Sequence, residues 1–273
     1  MPPSLQSPLA FATRYAGLFR VQMRMATLAA MQYRVDFVVR GLIAVLWSAL
    51  TLIPLVVVFG VRRQVAGWSF EEALVVVGWF TLLRAVLEGA VSPSLTAVVE
   101  HVRKGTLDFV LLKPADAQFL VSTAKFEPWR VMDLAGAGGV LVFAFHRLGH
   151  PPRVQAVLLA AVLLLVAVLV LYALWILVVS AAFWVVKVDN LSYLFGSLFD
   201  AGRWPIAIFR GALWFAFTFI FPLALMTSYP AMALLDRLDA RTAVAAVAGG
   251  LAFASVARLV WRRALGFYTS ASS

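Results

Sequence analysis

Residues 155–186 read "QAVLLAAVLLLVAVLVLYALWILVVSAAFWVV" and carry no charged side chain. As a helix this run would measure about 48 Å, against about 30 Å of bilayer hydrocarbon. A backbone in lipid must satisfy its own N–H and C=O groups, which a helix does within one segment. The run is therefore expected to cross a membrane, tilted or projecting beyond it. The rest of the chain agrees. Of its 273 residues 13% are charged, about half the share in a soluble domain, and the mean hydropathy is +0.93.

Five further apolar stretches bring the expected crossings to six: about 36–60, 70–94, 129–146, 155–186, 206–228 and 242–260. Pro54 is expected to kink the first. The run "AGAGG" at 135–139 in the third is expected to let helices approach closely. With the N-terminus inside, sixteen Lys and Arg fall in inner segments and six in outer ones. That asymmetry predicts both termini on the cytoplasmic side. It also accounts for the net charge of +10 without nucleic acid, because the basic residues are dispersed.

Four segments between or before the crossings carry polar residues. Residues 8–34 place Arg20, Arg24, Thr27 and Arg34 in one helical sector, with Arg14 and Gln22 outside it, which predicts a helix lying on the cytoplasmic face. Residues 92–105, "SPSLTAVVEHVRKG", read as a separate helix capped by Ser92 or Ser94 and stopped by Gly105. "TLDFVLLKP" then starts afresh, with Thr106 or Asp108 available as a cap and Pro114 as a stop. Leu107, Val110, Leu111 and Pro114 follow 3–4 spacing and make a small apolar face. That face suits either a docking surface or an amphipathic connector resting on lipid. In 187–206, Leu191, Leu194, Phe195, Leu198 and Phe199 form a stripe, with Trp204 nearby, that predicts a second interfacial helix. Residues 228–241 are apolar enough to dip into the membrane.

Three stretches resemble the permease subunits of type-2 ABC exporters, a six-span bacterial family. "GTLDFVLLKP" at 105–114 is similar to the family's G-x-L-D-x-L-L-x-P after span two. "GRWPIAIFRGALWFAFTFIFPLALMTSYPAMALL" at 202–235 resembles its aromatic-Pro entry to span five, its mid-span proline (Pro222) and its Tyr-Pro pair (Tyr229, Pro230). "WRRALGFYTSASS" at 261–273 resembles its basic tail, with Phe267 where a basic residue is usual. The likeness covers about residues 15–273 and more narrowly matches a group in which two different permeases pair with one ATPase. It implies an all-α integral membrane fold of six transmembrane helices, with an N-terminal interfacial helix and a cytoplasmic coupling helix between spans two and three. Residues 1–35 would then be the tail and interfacial helix, 36–260 the permease body and 261–273 the C-terminal tail, in a bacterial inner membrane.

In such a permease the coupling helix seats in a cleft of a cytoplasmic ATPase, present in two copies, while a second permease, sister or self, completes the path. The resemblance gives Gly105, Leu107, Asp108, Val110, Leu111, Leu112 and Pro114 this role. Gly105 would permit the sharp entry, Asp108 would cap, and Leu111 and Leu112 would fill the cleft. The residues independently require a partner for any use of ATP: no G-x-x-x-x-G-K-[ST] occurs, so ATP and Mg would sit on another chain. Inside the membrane, Arg84 and Glu88 stand four apart on one face of span two. They suit a translocation path, a lock between two permeases, or a self-satisfied pair, with Asp133 as a third member or an interfacial residue. Arg210, Trp214, Phe217 and Phe221 share one face of span five and suit an aromatic lining, or simply lipid. A lipid-modifying enzyme would need clustered His, Asp or Glu at one interface; His146 and His150 have no nearby carboxylate in sequence, and there is no cysteine. A passive channel or structural subunit is the other alternative. No cleavable leader is expected, since residues 1–34 lack a compact apolar core and hold four arginines.

Overall fold

A computed structural model describes residues 8–184 and 189–267. In chain order the helices are α1 (Pro8–Gln32), α2 (Arg34–Val61), α3 (Phe70–Arg103), α4 (Asp108–Leu111), α5 (Ala117–Ser122), α6 (Pro128–Leu148), α7 (Val154–Ser180), α8 (Asp189–Asp200), α9 (Gly211–Ile220), α10 (Ala224–Leu234) and α11 (Ala240–Leu265). Among the described residues the one pairing of extended chain is the isolated bridge between Val65 and Trp68.

Five helices are long and apolar enough to cross a membrane: α2, α3, α6, α7 and α11. The bent pair α9 and α10 makes a sixth crossing if counted as one. The expected straight span at 206–228 is replaced by this pair, whose axes differ by 72°. Pro222 supplies the cause, because it has no N–H to donate and its ring blocks the preceding turn. Backbone from 224 to 228 resumes in a wide π-turn, and Tyr229–Leu234 continues as α-helix with Pro230 in its first turn. The segment after Ser228, expected as an outer connection, is therefore largely helical and buried at Pro230, Ala231, Ala233 and Leu234.

The wall facing α3 shows how the chain climbs through this region. Phe199 of α8 packs on Phe80, and Asp200 pairs with Arg84. Gly202 lies against Leu223, Thr227 and Phe80. Trp79 donates its indole N–H to the Met226 carbonyl of α10 at 3.1 Å. Beyond α10, Arg237 reaches Glu72 at 3.0 Å. The partners on α3 step from 84 to 72, so α10 carries the chain to the end where α3 begins. Arg147–Glu71 and Arg153–Asp236 pairs gather at that same end. At the opposite end Arg14 and Arg258 meet residues 114–118. Arg147, Arg153 and Arg237, which the charge pattern puts in outer segments, thus share one end, and Arg14 and Arg258, which it puts in inner segments, share the other.

Three crossings are close, one of them where a Cβ on Gly41 of α2 would overlap the Met132 side chain of α6. A Cβ on Gly250 of α11 would stand 2.4 Å from Val166 of α7, and one on Gly78 of α3 would stand 2.9 Å from Leu141 of α6. Of the small-residue run at 135–139, Ala137 is fully buried, whereas Gly136, Gly138 and Gly139 face open space. α6 turns its larger residues, Val140 and Leu141, toward the glycine of its neighbour instead. Pro54 does interrupt the first span, where the helix breaks at Thr51–Leu52 and restarts at Ile53.

Several other boundaries differ from expectation. Arg34 begins α2 rather than ending α1. The stripe on α8 is divided: Phe195 and Phe199 are buried against Trp175, Phe221 and Phe80, Leu198 is half-buried and Leu194 is exposed. The side chain of Leu191 and residues 268–273 lie outside the described residues.

Candidate functional site

Residues 92–103 do not form a separate helix. Ser92 and Ser94 cap nothing; α3 runs on through a π-turn at Leu87–Val91 and spans 34 residues. The Ser94 hydroxyl instead donates to the Lys125 carbonyl at 2.6 Å. Gly105 ends the rod as expected. Its φ is +66°; its N–H meets the Val102 carbonyl at 3.2 Å, and Thr106 N–H meets that of His101 at 2.9 Å. This double closure is a Schellman motif, which needs a residue at ease in the left-handed region.

The chain then makes a short projecting knob, 106–114. Leu107 is completely buried and anchors it to the core, contrary to the expectation that Leu107 belongs to a docking face. Val110 is half-buried. The apolar tip is made by Phe109 (71% exposed), Leu111 and Leu112 (82%), with Lys113 and Pro114 beside it. The helical turn from Asp108 to Leu111 rotates residues 107 and 110 inward and 109 and 112 outward. The helix has Leu107 at its cap position, so Asp108 is not the cap; it occupies the first turn, where a carboxylate suits the helix dipole. Thr106 is held by His101 Nδ1 at 2.8 Å.

Beneath the tip, segment 114–122 is fixed by three helices. From α1, Arg14 donates to the Pro114 carbonyl, the Tyr15 hydroxyl accepts the Asp116 N–H at 2.9 Å, and the Tyr15 ring meets Phe119 edge-on at 4.7 Å. Asp116 caps α5 by accepting Phe119 N–H at 3.0 Å. From α11, Arg258 donates to both Asp116 oxygens, at 2.6 and 3.4 Å, and also to Gln118. From α7, the Tyr172 hydroxyl meets Gln118 Nε2 at 2.9 Å and Ser122 Oγ at 2.7 Å. Burial pushes the Asp116 carboxyl up, but the hydrogen bonds from Arg258 and Phe119 outweigh it and hold its pKa below the ordinary value.

A second polar centre lies deeper. Arg84 Nε donates to Glu88 at 2.8 Å, and Arg84 also reaches Asp200 of α8 at 3.4 Å. Arg130 of α6 pairs with Glu88, with Asp133 at 3.0 Å and with Glu127 at 3.7 Å. Asp133, 3% exposed, also accepts from Ser48 of α2 at 2.8 Å. The expected pair is thus part of a network tying α2, α3, α6 and α8, and Asp133 is its buried member. A cavity of about 330 Å³ adjoins it, walled by Trp47, Ser48, Thr51, Thr81 and these charges. Just outside the crossing, burial raises the pKa of Glu127, Arg130 offsets part of this, and the neighbouring Glu88 charge adds to the rise.

The aromatic face expected at span five is divided. Phe217 and Phe221 turn inward, against Phe209 and Phe195, whereas Trp214 and Arg210 point outward. The π-turn at 216–220 and the break after it shift the register that would have aligned them. Among the described residues no group of three or more His, Asp or Glu gathers as a metal site. Sequence reading missed Phe109, Asp116, Gln118, Arg130, Tyr172, Asp200 and Arg258. For Asp116 a signal existed: an Asp two residues after a proline and three before an apolar N–H donor suits a cap. The others meet partners far away in sequence.

A body of several membrane-length helices with a projecting apolar knob defines a multi-pass membrane protein. The sequence profile of the ABC-2 family transporter protein matches residues 45–272, and the chain belongs to that family. It is the membrane permease component of an ABC transporter, and membership implies an ATP-binding partner subunit. No curated protein and no solved structure matches the chain.

Proposed function

We propose that this permease works in an exporter for a small amphipathic or hydrophobic substrate, driven by two copies of a separate cytoplasmic ATPase that bind ATP and Mg. The observation that carries the reading is the knob: Phe109, Leu111 and Leu112 stand exposed on a base anchored by buried Leu107. An apolar tip flanked by charge and held rigidly suits insertion into a protein cleft. The Lys/Arg asymmetry supports placing the knob, both termini and the basic α1 on the cytoplasmic side of a bacterial inner membrane, with α1 along the lipid surface. The likeness of residues 105–114, 202–235 and 261–273 to type-2 exporters supports export and pairing with a second permease, sister or self. Gly105, Asp108, Val110 and Pro114 shape the knob under this reading, and Leu107 roots it.

The test is Leu112→Asp, coexpressed with the partner ATPase and purified in mild detergent. A desolvated carboxylate at the tip is expected to reduce copurifying ATPase at least tenfold, since such a burial costs well over about 1.4 kcal/mol. Membrane insertion, read by the yield of folded permease, is expected to remain. Full recovery of the ATPase with the variant would reject the docking role.

A further inference from the structure

The segment behind the knob is fastened to the α7–α11 pair by polar contacts that seating the knob does not require. Asp116 is fixed relative to the knob because it caps α5 and donates its own N–H to Tyr15. Arg258 of α11 grips both oxygens of that carboxylate and reaches Gln118. Gln118, itself buried, and Ser122 hold the Tyr172 hydroxyl of α7. α7 and α11 in turn are locked to one another where Gly250 meets Val166. On the other side, α3 enters the knob directly through Gly105, and α3 is locked to α6 where Gly78 meets Leu141. The knob therefore lies between two helix pairs, joined to one by continuous chain and to the other by side chains.

Most other contacts between these blocks are apolar, and inside a bilayer apolar contacts are non-directional and readily slide. A guanidinium held on two carboxylate oxygens is directional and resists sliding. We infer that the Asp116–Arg258 pair, backed by Gln118 and Tyr172, is the joint through which displacement of the knob is passed to the α7–α11 pair. Asp116 and Arg258 are then positioning residues for the transport step. The inference rests on the knob being the docking point of the ATPase.

The experiment uses the complete permease–ATPase complex in lipid nanodiscs. The chain has no cysteine, so Val142→Cys on α6 and Val244→Cys on α11, 72% and 70% exposed in the parent residues, accept one spin label each once the partner's own thiols are replaced. Their separation reports the motion of one helix pair against the other. Adding ATP with vanadate is expected to shift the label distance in the parent complex. Asp116→Asn is expected to abolish the shift while the ATPase still copurifies, and Arg258→Lys to weaken it. The reversed pair, Asp116→Arg with Arg258→Asp, is expected to restore it, which ties the shift to the ion pair rather than to either side chain alone, while the retained ATPase separates loss of the joint from loss of folding. An undiminished shift in Asp116→Asn, or no shift in the parent complex, would overturn the joint. If Leu112→Asp also keeps the ATPase and the shift, the docking reading has failed; if Leu112→Asp loses both while Asp116→Asn keeps both, the joint alone has failed.

Discussion

Gly250→Ala offers the sharpest check on the packing that the inferred joint relies upon. The added Cβ would lie 2.4 Å from Val166 Cγ1, 3.3 Å from Val170 Cγ2 and 3.7 Å from Leu225 Cδ1. Carbon atoms prefer about 3.5–4.0 Å, so the first contact overlaps by more than about 1 Å. Val166 is β-branched and has one favoured rotamer in a helix, so it cannot swing aside. The helices must separate, and a gap of about 0.5–1 Å forfeits a quarter to a half of each contact along the crossing. Overpacking of this kind costs about 1–3 kcal/mol. Replacing a helical glycine by alanine returns about 1 kcal/mol, leaving a net loss of up to about 2 kcal/mol. Val166→Ala removes the obstructing methyl and leaves Val170 Cγ2, at 3.3 Å, as the nearest contact. In that background Gly250→Ala is expected to be neutral or stabilising, giving a coupling energy near 2 kcal/mol, within the range for residues in contact. Gly139→Ala, where nothing stands within 4 Å, should show no such coupling. Reversible unfolding in mixed detergent micelles measures all four combinations. If Gly250→Ala costs the same with and without the Val166 methyls, to within about 0.5 kcal/mol, the close crossing is refuted.

The deeper charge network predicts that Arg130→Ala destabilises by about 2–4 kcal/mol, because Asp133 and Glu88 lose a shared cation at low dielectric; this is discounted from the figure for fully buried pairs since Arg130 is a quarter exposed. Adding Asp133→Asn should recover part of the loss in the same unfolding assay, and no recovery would argue that the network is not electrostatic. Asp116 predicts a pH dependence. Its folded pKa lies below the ordinary carboxylate value, so its contribution is complete above that ordinary value and vanishes as pH falls through the folded one. The stability gap between the parent and Asp116→Asn, about 0.5–1 kcal/mol for a pair this exposed, is expected at neutral pH and should close on strong acidification. A gap that is constant with pH would contradict the pairing with Arg258.

Crossings declared by long uncharged runs were legible: α7 could be read from composition alone, and the asymmetry of Lys and Arg sorted residues that do meet at common ends. Gly105 was legible because a Schellman closure needs only local sequence. The knob's orientation was not, because 3–4 spacing fits Leu107 to either face and only the core decides which. The bent pair around Pro222 was hidden by the Phe-rich continuity of 206–228, which hydropathy reads as one helix. Asp116 carried a local capping signal after Pro114, but its pairing with Arg258 was not legible, nor were the roles of Arg130 and Asp200, since each meets an opposite charge on another helix and single residues of ordinary type carry no sign of such a meeting.

α3 is one rod of 34 residues, about 51 Å end to end. Its knob end stops at Gly105, and its opposite end is clasped through Glu71 and Glu72 by Arg147 and Arg237. Tilting such a lever by about 5° displaces its tip by about 4 Å, enough to part an ion pair. A rotation of that size would thus be felt at both ends of the rod at once.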